Sequence, residues 1–260
     1  MSGSYQYARE SGFGMTRLTW AVQRLLVANI AIFAVQLLLE IPFGDLRMHP
    51  VPGGRISEWL SFSPSGLLGG MLYLPITYQF LHYSLHHLFS NMLALFFFGP
   101  EVERMLGTRK FYIFYLFCGG VGVLATLLSY VLSGSDPLVV GASGAVMGVL
   151  IAFALIEPDR EFFLFPIPIP INARILVAIF IIMNIVFSLD PGSNVSVATH
   201  FGGMGAGFAY MKLLPKINAW NRERRVKKKA ASKGKKGGKD KDKLAEAIDN
   251  IFDFDDKKKH

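Results

Sequence analysis

The chain has 260 residues, of which 52% are hydrophobic and 18% are charged, and its formal net charge is +8. Soluble globular domains carry about a quarter charged residues, so this composition disfavours a soluble enzyme and favours a membrane protein. The single cysteine, Cys118, excludes an intramolecular disulfide framework.

Six apolar stretches follow one another along the chain. A membrane-spanning helix needs about 20 mostly apolar residues, although shorter helices fit inside a bundle where neighbours cover their ends. The candidate spans are residues 21–41, 80–99, 110–132, 141–157, 173–189 and 197–215. Irregular backbone facing lipid leaves polar groups unpaired, so each stretch is predicted to be helical. The predicted fold class is therefore all-α, a polytopic membrane protein with a bundle of six transmembrane helices.

The remaining residues lie at the two ends of this six-span domain, which we place at 21–215. Residues 1–20 form a polar N-terminal segment, and residues 216–260 form a basic tail. From Lys216 to Lys243 there are thirteen Lys or Arg residues and three acids. Such a run is typical of a disordered, solvated tail. Attraction to anionic lipid headgroups is the alternative, and no nucleic-acid partner is expected because the tail follows a span.

Basic residues are concentrated in alternate connections between the spans, which indicates the orientation of the chain. The third and fifth connections contain Asp136 and Asp190 but no Lys or Arg. The basic residues near the second and fourth connections are Arg104, Arg109, Lys110 and Arg160. We therefore expect both termini in the cytoplasm, and we expect the first, third and fifth connections on the outer face.

Polar side chains inside membrane spans are costly, so they mark functional positions. Ser143 lies near the outer start of the fourth span, and His200 lies near the outer start of the sixth. His87 and Asn91 share one helix face in the outer part of the second span, because they are four residues apart. A serine nucleophile needs a neighbouring base, which an imidazole supplies, and the oxyanion needs N–H donors. These residues predict acyl-transfer chemistry near the outer face.

Glycines follow a helical spacing on the fourth and sixth spans. Gly144 and Gly148 are four residues apart, and His200, Gly203 and Gly207 lie on one face of the sixth span. Facing glycines let two helix backbones approach closely. We expect this approach to bring the serine of the fourth span within reach of the histidine of the sixth.

From about Leu25 to Leu214, the sequence resembles the rhomboid family of intramembrane serine proteases. The matching motifs are Gly141-Ala142-Ser143-Gly144, His200-x-x-Gly203-x-x-x-Gly207, His87-x-x-x-Asn91, and Gly99-x-x-x-Glu103-x-x-x-Gly107 in a turn after the second span. The resemblance implies that Ser143 is the nucleophile and His200 the general base. It implies that His87, Asn91 and the backbone N–H of Ser143 stabilise the oxyanion. The residues expected to serve packing or structure are Gly141, Gly144, Gly148, Gly203, Gly207 and Glu103.

Two positions depart from the family pattern. Met147 stands where many members carry an aromatic residue that packs on the catalytic histidine, although a thioether can also pack on an imidazole. The first outer connection contains Glu58-Trp59 but lacks the Trp-Arg pair of many members. The family also has no third, acidic member of the catalytic group, and none is visible near the sixth span.

The resemblance implies an endopeptidase that hydrolyses a peptide bond in or next to a transmembrane segment of another membrane protein. Its expected partners are such substrates and the lipid bilayer, and the sequence does not indicate an oligomeric state. The compact set of six spans favours a bacterial cytoplasmic membrane, with a eukaryotic membrane as the alternative. No cofactor or metal is expected, although His82, His86 and His87 cluster in the second span. A client-binding relative without activity is disfavoured by the intact serine–histidine pair. A transporter is disfavoured because no acid or lysine lies at the centre of a span.

Overall fold

The computed structural model describes residues 18–40, 59–163, 170–189 and 196–216, and the single positions 218 and 246. The chain divides into two units, Met1–Met211 and Lys212–His260, and every contact described below lies in the first unit. Most of the polar N-terminal segment and nearly all of the basic tail lie outside the described residues.

Long helices occupy the positions of all six predicted stretches, so the predicted all-α bundle is confirmed. The elements in chain order are α1 (Trp20–Glu40), α2 (Pro64–Leu68), α3 (Leu74–Thr77), α4 (Leu85–Leu106), α5 (Thr108–Ser133), α6 (Ser143–Ile156), β1 (Glu161–Phe163), β2 (Pro170–Asn172), α7 (Ala173–Ser188) and α8 (197–216). A 3₁₀ turn, Tyr78–Phe80, follows α3. The strands β1 and β2 pair in antiparallel fashion between α6 and α7.

Two of the described helices are long and apolar enough to cross a membrane, judged by length and composition. They are Trp20–Leu39 within α1 and Thr108–Ser133, which is α5. The apolar helices Ser143–Ile156 and Ala173–Val186 are shorter, as expected for helices whose ends are covered by neighbours. That six helices cross the membrane therefore stays a prediction.

Both ends of α4 differ from the predicted bounds of the second span. We expected the second span at 80–99 and a turn around Glu103, but α4 begins at Leu85 and continues past Pro100 to Leu106. The Ser84 hydroxyl accepts a hydrogen bond from the His87 N–H at 3.2 Å and caps the start of the helix. The turn itself is a single residue, Gly107, whose φ of +80° favours glycine.

Glu103 joins three helices from its position in the last turn of α4. Its carboxylate accepts hydrogen bonds from the Ala21 N–H at 2.9 Å and the Val22 N–H at 3.0 Å, in the first turn of α1. The Thr108 hydroxyl of α5 donates to it at 2.8 Å. N–H groups of a first helical turn lack partners inside their own helix and lie at its positive end, so a carboxylate stabilises them.

The helix α6 occupies the centre of the bundle and packs against α4, α5 and α7. Its buried residues are Gly144, Ala145, Val146, Gly148, Val149, Leu150, Ala152 and Phe153. These residues cover most of the helix circumference, as expected for a helix that is surrounded by protein on most sides. The remaining stripe, which is only half-buried, consists of Ser143, Met147, Ile151 and Ala154. The residue at its first position is Ser143, so the fold places this serine at the end of a central and well-supported helix.

Candidate active site

The segment that precedes Ser143 is held by backbone hydrogen bonds to the region between α1 and α4. The main chains of Phe62 and Val139 exchange two hydrogen bonds, of 2.9 and 2.8 Å. The Gly141 N–H donates to the Tyr78 carbonyl oxygen at 2.9 Å. Because Ser143 is the first residue of α6, its N–H has no acceptor within the helix and lies at the positive end of the helix dipole.

Gly141 brings the imidazole of His87 next to this segment. Gly141 has a φ of +120°, a conformation that residues with a side chain rarely adopt. A methyl group at Gly141 would lie 2.5 Å from Cε1 and 2.8 Å from Nε2 of His87. Glycine is therefore required here both for its backbone conformation and for the space that the His87 ring occupies.

The side chains of Ser143 and His200 meet directly. The Nε2 atom of His200, on α8, lies 2.7 Å from Oγ of Ser143, on α6. Both side chains are half-buried, so the pair is partly open to its surroundings. A serine and an imidazole at this distance can exchange a proton, which is the geometry that a nucleophile and its base require.

This distance depends on the close packing of α6 and α8. A methyl group at Gly203 would overlap the carbonyl oxygen of Gly144. One turn further along, a methyl group at Gly207 would lie 2.7 Å from the carbonyl oxygen of Gly148. Because these glycines have no side chains, the backbones of α6 and α8 touch at two positions that are one helical turn apart.

Asn184 of α7 contacts the other nitrogen of the histidine, and sequence analysis did not single it out. Its Oδ1 atom lies 2.7 Å from Nδ1 of His200, and the residue is only 3% exposed. Its Nδ2 donates to the carbonyl oxygen of Phe180, one helical turn earlier, at 2.8 Å. Ser143, His200 and Asn184 thus form a continuous line of hydrogen-bonded side chains from three helices.

Two signals in the sequence point to Asn184. It is a polar residue within the apolar fifth stretch, which is the criterion that selected Ser143 and His200. It also lies eight residues after Leu176 and eleven after Ala173, which are both buried, so a helical period places it on the inward face of α7.

The two residues predicted to stabilise an oxyanion lie on the same face of α4. Asn91 is buried, and its Nδ2 donates to the carbonyl oxygen of His87 at 3.0 Å. No direct hydrogen bond joins Ser143 to either side chain, although all three residues lie in the described part of the chain. The contact between His87 and Gly141 brings this face of α4 towards the start of α6.

The other two histidines of this region have different environments. We expected His82, His86 and His87 to lie together in the second span, but the helix α4 begins after His82, at Leu85. His82 is fully buried, and its ring meets the ring of His87 edge-on at 5.1 Å between centroids. His86 is exposed. Within the described residues, no three His, Cys, Asp or Glu side chains are grouped as metal ligands.

Comparison with known proteins identifies the family of the chain. The family model of the Rhomboid domain matches residues 69–217, which is more than half of the chain. Similar proteins include Rhomboid protein 1, mitochondrial, from Saccharomyces cerevisiae, with 31% identity over 56% of this chain and 43% of the yeast protein. Rhomboid protease GluP from Bacillus subtilis is 36% identical over 55% of this chain and 26% of that protein. Putative rhomboid protease YdcA, also from Bacillus subtilis, is 29% identical over 68% of this chain and 83% of its own length.

A helical bundle in which a serine and a histidine side chain meet, together with these matches, defines the class: the chain belongs to the rhomboid family. The region that aligns with this chain covers less than half of the length of the yeast protein, and less than half of the length of GluP. Relatives occur both in bacteria and in mitochondria.

Proposed function

We propose that this protein is an intramembrane serine endopeptidase that hydrolyses a peptide bond in or next to a transmembrane segment of another membrane protein. The observation that carries the proposal is the distance of 2.7 Å between His200 Nε2 and Ser143 Oγ, which belong to two different helices. The name of the bacterial relative GluP, which is called a rhomboid protease, and that of YdcA, which is called a putative rhomboid protease, support it.

The first half of the reaction acylates the serine. His200 Nε2 takes the proton of the Ser143 hydroxyl while Oγ attacks the carbonyl carbon of the scissile bond. The same imidazole then gives that proton to the leaving amine, and the acyl group stays on Oγ. In the second half, His200 takes a proton from a water molecule, which attacks the ester carbonyl carbon. The bond between Oγ and the acyl group then breaks, His200 returns the proton to Oγ of Ser143, and the acyl group leaves as a carboxylic acid.

The oxyanion of each tetrahedral intermediate needs N–H donors near Ser143. The backbone N–H of Ser143 is available because it begins α6, and the positive end of the helix dipole adds to its effect. The imidazole of His87 and the amide of Asn91 are the side-chain donors that we assign to this site. Both come from one face of α4, whose position next to Gly141 supports the assignment.

We place the active site towards the outer face of a bacterial cytoplasmic membrane, with both termini in the cytoplasm. The distribution of basic residues supports this orientation, because the third and fifth connections lack Lys and Arg. The serine–histidine pair lies at the ends of α6 and α8 that follow those two connections. The test is a fusion after residue 260 to a phosphatase that is active only outside the cytoplasm. This fusion should be inactive in intact bacteria.

The test is cleavage of a model single-span membrane protein by the purified full-length chain. The parent should cleave it, and Ser143→Ala should lower the rate by at least about 10⁴-fold, as loss of the nucleophile does in other serine proteases. His200→Ala should have a similar effect. A fluorophosphonate should label the parent and should not label Ser143→Ala.

Matched controls separate the chemistry from general damage to the bundle. Ser133→Ala removes an exposed hydroxyl at the end of α5, and His86→Ala removes an exposed imidazole next to His87. Both should cleave like the parent. Cleavage by Ser143→Ala would refute the mechanism, and a folded parent that neither cleaves nor reacts would indicate a client-binding protein without activity.

A further inference from the structure

The contact between Asn184 and His200 suggests a third participant in the proposed reaction. Oδ1 of Asn184 and Oγ of Ser143 lie on opposite sides of the His200 ring, each 2.7 Å from a ring nitrogen. The ring is therefore held at both nitrogens, between α6 and α7. These two contacts fix both the position of the imidazole and the direction in which each of its nitrogens points.

The orientation of the Asn184 amide follows from its second hydrogen bond. The carbonyl oxygen of Phe180 can only accept, so the atom 2.8 Å from it must be the NH₂ group of Asn184. Rotation of the amide by 180° would direct its oxygen at the Phe180 carbonyl oxygen and would lose this bond. Oδ1 therefore stays directed at His200.

This orientation determines which nitrogen of His200 carries the proton. Oδ1 of an amide has no proton to donate, so Nδ1 of His200 must be the donor in the contact of 2.7 Å. In a neutral imidazole the other nitrogen, Nε2, then has a free lone pair. That lone pair faces the hydroxyl of Ser143, as a general base requires.

An asparagine in this role needs such an anchor. In proteases with a Ser-His-Asp triad, replacing the aspartate by asparagine lowers kcat by about 10⁴-fold, because the histidine adopts the wrong tautomer. An amide that is free to turn can offer either an acceptor or a donor to the ring. The Phe180 carbonyl removes this choice, and the neutral amide avoids placing a charge on the buried face of α7.

We propose that Asn184 is the positioning residue of His200: it holds the imidazole in the tautomer with the proton on Nδ1, so that Nε2 can act as the base for Ser143. The inference rests on the proposed proteolytic function but concerns a residue outside the motifs that led to it. Asn184 does not touch the reacting atoms, so it acts only through the ring of His200.

The experiment compares Asn184→Leu, Asn184→Asp and the control Met183→Leu in the full-length protein. Leucine has a similar size but cannot accept a hydrogen bond, so kcat should fall by about 10²-fold or more while KM stays similar. Aspartate can only accept, so it should keep the tautomer and retain more activity than leucine. Met183 is an exposed neighbour on α7, and its variant should match the parent. Thermal unfolding of each variant shows whether it is folded.

A second measurement does not depend on activity. The ¹⁵N spectrum of histidine-labelled protein reports which ring nitrogen carries the proton, and a spectrum of His200→Gln identifies the signal of His200. The parent and Asn184→Asp should have the proton on Nδ1, whereas Asn184→Leu should gain the tautomer with the proton on Nε2. An unchanged His200 tautomer in Asn184→Leu, or an unchanged kcat, would overturn the inference.

The two proposals fail in different ways. If the parent has no activity, the proposed function fails, while the tautomer measurement still tests the contact with Asn184. If the parent cleaves, Ser143→Ala does not, and Asn184→Leu is folded and cleaves like the parent, then only the positioning role is wrong.

Discussion

Gly203 of α8 lies directly against the carbonyl group of Gly144 on α6, with no room for a methyl group between them. Gly144 follows Ser143, and Gly203 lies three residues after His200. The contact therefore sets the separation of the two backbones next to the proposed catalytic pair. Any increase in this separation would lengthen the distance of 2.7 Å between Ser143 Oγ and His200 Nε2.

We expect Gly203→Ala to lower both proteolysis and stability. The added methyl group must move α8 away from α6, and overpacking of this kind typically costs about 1–3 kcal/mol of unfolding free energy. Displacement of a catalytic group by about 1 Å can lower the rate by about 10²-fold. Cleavage rates in detergent and thermal unfolding of the purified variant measure the two effects.

The control for this substitution lies two residues away on the same helix. A methyl group at Gly205 has no neighbour within 4 Å, so Gly205→Ala should keep the activity of the parent. Alanine favours a helix more than glycine does, so helix propensity predicts no loss in either variant. Equal losses in both variants would therefore contradict the role of the contact between Gly203 and Gly144.

Gly141→Ala should displace the ring of His87 and lower kcat. The methyl group would lie within 2.5–2.8 Å of two ring atoms, and the backbone would also be strained at a φ of +120°. Gly107→Ala provides the strain without the contact, because Gly107 has a φ of +80° and nothing within 4 Å. For the same decrease in melting temperature, we expect Gly141→Ala to lose much more cleavage activity than Gly107→Ala. If the loss of activity follows the decrease in melting temperature equally in both variants, backbone strain alone explains the effect.

Asn91→Ala should lower kcat by about 10²–10³-fold with little change in KM, because one oxyanion donor typically contributes that much. Asn91 also donates a hydrogen bond to the His87 carbonyl oxygen, and its loss could act through the helix instead. Ser90→Ala tests this possibility, since the Ser90 hydroxyl donates to the same carbonyl oxygen at 3.0 Å. Steady-state kinetics should separate the two variants, and matching kinetics would assign Asn91 a structural role.

Glu103→Gln should destabilise the bundle by about 1–3 kcal/mol, because the charged acceptor of the first turn of α1 is replaced by a neutral amide. The proposed catalytic groups are not touched, so folded protein should cleave normally. Glu101→Gln is the matched control: Glu101 pairs with Arg104 at 2.7 Å on a partly exposed part of α4. Exposed ion pairs of this kind contribute about 0–1 kcal/mol to the free energy of unfolding. Thermal unfolding in detergent compares the two, and equal stability of both variants would contradict the capping role.

Much of the architecture could be predicted because it depends on local properties of the chain. Apolar stretches of the required length predicted the six helices to within a few residues, except at the ends of α4. That exception has a local cause, since Ser84 caps the helix late and Pro100 does not end it. The helical spacing of Gly203 and Gly207 likewise predicted which face of the last helix could approach another backbone closely.

The helices, their order, and the residues proposed to perform acyl transfer follow from the amino-acid sequence alone. The tertiary structure alone decided which atoms meet, because the rotation and separation of packed helices depend on contacts between residues far apart in the chain. Ser143 and His200 are 57 positions apart, and Glu103 reaches an N–H 82 positions away. The partner of the second histidine nitrogen depends on the rotation of α7 about its axis, so only the folded bundle places Asn184 there.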